Sequence, residues 1–275
     1  MRRSVPLAGA LVLLAAAALW AHDMFLKLET FFLAPHAEAT VTLINGTFDE
    51  SLNAISRDRM TDVSIVGPDH EVVHPPPSAW HDADSAAHLT FETGDAGTYV
   101  IGVSTAPRIF ELSGAEFDAY LEHDGVLDIL EKRESDGTLG RPAVERYSKH
   151  VKAIVQVGER HSAAYAHRLG YPVELIPLQN PYDLDDGDTL DVLFLIRGAP
   201  GANQLVYASH EGYHGHDAGG GHVEAVRSRT DGDGVARIPL SAEGRWYVRL
   251  IHMVETEEEA VDYESSWATL TFEIE

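Results

Sequence analysis

The chain has 275 residues, 44 of them acidic and 20 basic, for a net charge of −24, and it contains no cysteine. So acidic a surface repels phosphate backbones, which argues against nucleic acid as a partner. The absence of thiols excludes disulfides, thiolate metal centres, a thiol nucleophile and an anchor through an acylated cysteine.

Arg2 and Arg3, the apolar run from Val5 to Trp20 and the small Ala21 follow the plan of a secretory signal. The run is shorter than the roughly 20 residues that a spanning helix needs. Residues 1–21 are therefore predicted to be a leader cut after Ala21. The mature protein is then periplasmic, without a membrane anchor, and starts at His22.

Short strands punctuated by turns follow. Thr40 to Ile44 alternates and stops at Asn45-Gly46; Val63 to Val66 stops at Gly67-Pro68; His88 to Glu92 turns through Gly94 to Gly97 into Thr98 to Ser104. Pro75-Pro76-Pro77 marks an extended loop. Ser113 and Glu116 form a capping box ahead of Phe117, Tyr120 and Leu121 at helical spacing, and Gly125 breaks the pattern before Leu127 and Leu130. One or two helices over about 113–134 are predicted to lie on a sheet. Strand character returns from Tyr147 to Val157, and a polar loop runs from Gly158 to Leu169.

The second half begins with Pro172 to Leu178. Further strands are predicted over Thr189–Arg197, Gln204–Ser209, His222–Arg227, Val235–Leu240, Arg245–Val254 and Ala268–Ile274. The fold class is all-β: two immunoglobulin-like or transthyretin-like sandwich domains, 22–165 with the helical insertion and 166–275. The acidic runs Asp183 to Asp188 and Asp231 to Gly234 lack the closing glutamate of a calcium loop and read as hairpin turns.

Three features can carry chemistry. At a chain start, His22 offers its α-amine and a ring nitrogen to one ion, and both lose a proton near neutral pH. Such nitrogen donors suit nickel, cobalt, copper or zinc rather than calcium or magnesium. The segment from His210 to His222 holds His210, His214, His216 and His222 among several glycines, and reads equally as a weak cation collector or as a hairpin loop with chance histidines. Its spacing is not that of a zinc finger, and no HExxH is present. His252 alternates with Trp246, Val248 and Leu250, which puts it on an apolar strand face near the strand's end, where a core residue and a rim ligand are both compatible.

The chain resembles the DUF4198 family, described as periplasmic components of cobalt or nickel uptake systems. The resemblance lies in Ala21-His22-Asp23 with Phe25-Leu26, in Glu111-Leu112 and Phe117 to Leu121, and in Glu145 to Lys149. It continues through Leu169 to Pro177 with Asn180-Pro181-Tyr182, through Gly244-Arg245-Trp246 and His252-Met253, and through Glu264 to Phe272. It implies an envelope protein that binds a divalent transition-metal ion beside a membrane transporter, and it singles out His22, His252 and Glu264. No catalytic role is expected. The alternatives are a structural or interaction module of the envelope and, less favoured, a copper oxidase that uses His22 with a second histidine.

Overall fold

The computed structural model describes residues 22–216 and 223–275, so the expected leader and His222 lie outside the described residues. In chain order the strands are β1 (Asp23–Lys27), β2 (Phe32–Leu33), β3 (Glu38–Gly46), β4 (Met60–Val66), β5 (Val72–Val73), β6 (Trp80–Ala83), β7 (Ala86–Glu92), β8 (Gly97–Thr105) and β9 (Arg108–Ser113). Helices α1 (Gly114–His123) and α2 (Leu127–Ser135) come next. Then follow β10 (Gly140–Val157), β11 (Val173–Pro177), β12 (Thr189–Ile196), β13 (Ala199–Pro200), β14 (Leu205–His210), β15 (Val226–Arg229), β16 (Val235–Pro239), β17 (Gly244–Glu255) and β18 (Tyr263–Ile274).

The chain is all-β with two sandwiches, as expected, and the two share one wall. That wall is a ten-stranded sheet in the order β15-β14-β17-β18-β10-β8-β4-β5, with β2 and β9 paired to β10. Its centre is the parallel pair of β10 and β18, from Glu145 opposite Tyr263 to Ala153 opposite Thr271. This pairing crosses the expected boundary at 165/166, so one sheet runs through both halves. Parallel neighbours need a long crossover, and residues 158–262 supply it.

Alternation along the strands divides the core. Ile101 and Val103 of β8 and Val151, Ala153, Val155 and Val157 of β10 face the four-stranded sheet β1-β3-β7-β6. Val100 and Ile154, one residue out of step, join Trp246, Val248, Leu250, Leu270 and Phe272 against the sheet of β11, β12, β13 and β16. The side chains of Thr269 and Thr271 donate to the carbonyls of Met24 and Leu26, at 2.8 and 2.6 Å, and seat β1 on the shared sheet.

The helices cover the rest of the first face. Ser113 accepts from the Glu116 N–H and the Glu116 carboxylate accepts from the Ser113 N–H, so the expected capping box forms. Gly125 has φ of +75°, which lets the chain reverse between α1 and α2. Phe117, Tyr120 and Leu121 pack with Ile251, Met253, Tyr263 and Trp267.

The 169–177 segment has a plain physical basis. Glu174, 3% exposed, accepts from the N–H groups of Leu169, Gly170 and Tyr171 at 2.7–3.1 Å and pairs with Lys152 of β10 at 3.1 Å. The pair fastens the second sandwich to the shared sheet.

Candidate functional site

On one face of β17, Tyr247 packs with Phe25 and Phe48, while Ile251 and Met253 lie under the helices. Arg249 stands between them, at the seam between the start of β1 and the helical layer. It is 6% exposed. Its Nε donates to Glu224 Oε1 at 2.9 Å and lies 3.3 Å from Asp23 Oδ2, and its Nη1 donates to the Asp124 carbonyl at 3.0 Å. The guanidinium sits 4.9 Å from the ring centre of Tyr207. Burial opposes its charge, but Asp23 and Glu224 outweigh that and raise its pKa further.

A cavity of about 370 Å³ opens over this arginine. Four imidazoles line it: His22 before β1, His123 at the end of α1, His210 at the end of β14, and His214 beyond it. Asp23, Asp124 and Glu224 supply carboxylates to the same space. Burial, and then Lys149, lower the pKa of His22, which keeps its ring neutral and able to donate a lone pair. Lys149 Nζ donates to the His22 carbonyl and, at 3.0 Å, to Asn45 Oδ1. Asp23 is pushed up to about 6, by burial first, with Arg249 acting against it. His123 bonds Asp124 Oδ1 at 3.0 Å and its pKa is raised, chiefly by that bond; its place in the last turn of α1 also favours a cation. The second oxygen of Asp124, on a residue 7% exposed, is buried without a hydrogen-bond partner among the described residues.

The structure sorts the expected ligands into groups. His22, His210 and His214 share the cavity. His210 lies 4.9 Å from the ring of Trp246 and its Nδ1 is 3.1 Å from the Glu211 carbonyl. His216 is exposed, with Nδ1 3.0 Å from the His214 carbonyl, and does not line the cavity.

His252 does not meet His22. It points to the opposite face of β17 from Tyr247 and Arg249, with the apolar residues Trp246, Val248 and Leu250, as alternation requires. It lines a separate cavity of about 310 Å³ with Glu264, Arg197 and Ser266. Its Nδ1 is 3.1 Å from Gln204 Oε1, and burial first, then Arg197, lowers its pKa. Glu264 also lies 4.0 Å from Arg146. The pairing of His22 with His252 on one ion is thus not what the fold offers, whereas His252 and Glu264 do come together.

Sequence reasoning missed His123, Asp124, Glu224 and Arg249. His123-Asp124-Gly125 carries one signal: a basic residue and an acceptor at a helix end marked by glycine. Glu224 and Arg249 carry none, because only the pairing of β14, β15 and β17 brings them to β1.

Among the described residues, no three His, Asp or Glu side chains converge tightly enough to hold an ion together. The donors fit a borderline cation in kind, since imidazoles and carboxylates line one cavity. They fall short in number.

A family model described as "Domain of unknown function (DUF4198)" matches residues 19–254. No curated protein matches the chain. Among solved structures, the chain is similar to a chimeric titin Z1Z2 tandem (10% identity, 92% of this chain, 99% of that one, TM-score 0.22). It is also similar to the D0-D1 domain of intimin (11%, 91%, 97%, 0.21) and to Salmonella α2-macroglobulin (9% identity, 91% of this chain, TM-score 0.26), of which it spans only 15%. Scores this low carry no argument about function.

Proposed function

The chain belongs to the DUF4198 family, and we propose that it is an exported protein that binds a divalent transition-metal ion, nickel or cobalt, at the cavity around His22. The observation that carries this reading is the convergence of His22, His123, His210 and His214 on one cavity with the unpartnered oxygen of Asp124. Chain segments distant in sequence supply them: 22, 123–124 and 210–214.

The side chains fall short of a complete donor set as they stand, and a chain cut after Ala21 supplies what is missing. Its new α-amine lies on a residue that already lines the cavity, so amine and imidazole would chelate through one residue. His210 and His214 are the second donors. Asp124 balances charge and orients His123 through the 3.0 Å bond. Nitrogen donors rank copper above nickel and cobalt in intrinsic affinity, so the choice between them follows from metal supply. The membrane transporter that the family resemblance implies is the expected recipient of the ion.

The test is isothermal titration of nickel, cobalt, copper and zinc into two forms of the protein. One begins at His22 and the other carries Gly-Ser ahead of it. Tight binding by the first that weakens at least about tenfold in the second supports the chelate. Equal binding by both, or none by a folded protein starting at His22, rejects it.

A further inference from the structure

A second cavity, of about 410 Å³, opens on the other side of His22 and has the opposite character. Lys149, Arg59 and Arg108 line it, with the side-chain amides of Asn45 and Asn53. Not one of its lining residues is Asp or Glu, in a chain where acids outnumber bases 44 to 20.

Two of these cations are buried with donors to spare. Arg59 is 8% exposed, and its Nε and Nη2 have no hydrogen-bond partner among the described residues. Its guanidinium is held 5.1 Å from the ring centre of Tyr147, which fixes the plane without satisfying a single N–H. Lys149 is 3% exposed; two oxygens, the His22 carbonyl and Asn45 Oδ1, take two of its three protons. Neither makes a salt bridge with a carboxylate among the described residues, and Arg108 is exposed. Buried donors are almost always satisfied, and a guanidinium left with two open ones is matched in geometry by a carboxylate.

We infer that this cavity binds a small organic anion carrying two or three carboxylates. Three positive side chains set the charge of the ligand. The apolar walls, Ile55 and Phe110 among them, and the volume set its size, for they ask for a carbon body between the charged ends. A bare phosphate would leave those walls unused. His22 contributes its carbonyl, not its ring, to holding Lys149, so the inference rests on no part of the metal reading.

The experiment is calorimetric titration of the metal-free full chain at low ionic strength with tricarballylate, a tricarboxylate with no hydroxyl to aid chelation, and separately with inorganic phosphate. Saturable tricarballylate binding with Kd below about 1 mM, at least tenfold tighter than phosphate, is expected. Arg108→Gln, at an exposed position of β9, weakens it by about tenfold or more. Arg59→Gln weakens it further, and Arg237→Gln, at an exposed position of β16 remote from the cavity, leaves it unchanged. If Arg59→Gln does not fold, Arg108→Gln against Arg237→Gln decides. No saturable binding, phosphate binding as tight as tricarballylate, or equal losses in Arg108→Gln and Arg237→Gln would overturn the inference.

Discussion

Glu145 shows how far a single side chain departs from its sequence appearance. It lies in β10 with no exposed surface, accepts from the Tyr120 hydroxyl at 3.2 Å and from Ser265, and keeps its Oε2 without a partner among the described residues. Burial pushes its pKa up to about 7, with the Ser265 and Tyr120 bonds acting against it. The folded state therefore holds this proton more tightly than the unfolded state does. Its contribution to stability is full below the ordinary glutamate value of 4.5 and is lost as pH rises toward about 7. Glu145→Gln cannot ionise. Urea midpoints at about pH 5 and about pH 8 should show the variant gaining on the natural protein as pH rises. A gap that stays constant would place the titration elsewhere. His22 drew notice because a histidine after an expected cleavage site is a local pattern. Arg249 did not, because its partners Asp23, Asp124 and Glu224 are joined to it only by tertiary structure.

Elements were readable where local rules dominate. The box at Ser113 and Glu116 located α1, and Ser113→Ala should cost about 1 kcal/mol in thermal stability by freeing a helix N–H. The Asp231 to Gly234 turn was legible for the same kind of reason: Asp231 accepts from the Asp233 and Val235 N–H groups and Gly234 has φ of +80°. β10 runs 18 residues, from Gly140, well before the expected start at Tyr147. Its first half reads as polar because most of it is exposed or half-buried, and it is held as a strand by pairing with β9, a contact outside any local window. The Lys152–Glu174 pair makes the sharpest prediction at this scale. Lys152→Met strands a carboxylate that is 3% exposed and should cost about 3–5 kcal/mol in chemical denaturation, whereas Lys152→Met with Glu174→Gln should recover part of it. If the single variant matches the natural protein, the pair does not fasten the two sandwiches.

In the molecule as a whole, the all-β class and most of the longer strands were legible, while β1, β2, β5, β6, β9, β13 and the shared sheet were not. Alternation tells which residues are buried but not which strand is their neighbour, and β10 beside β18 is a parallel pairing of segments more than 100 residues apart. Alternation along β17 separates His252 from His22, since the strand presents Arg249 to one layer and His252 to the other. The seam between the β1 sheet and the helices then collects His22, His123, His210 and His214. X-ray absorption at the nickel edge of the nickel-loaded protein starting at His22 tests this arrangement directly. A signature of at least two imidazoles, diminished in His22→Ala and His210→Ala but not in His252→Ala, is expected. An all-oxygen shell, or a spectrum that changes only with His252→Ala, would contradict a centre at the seam.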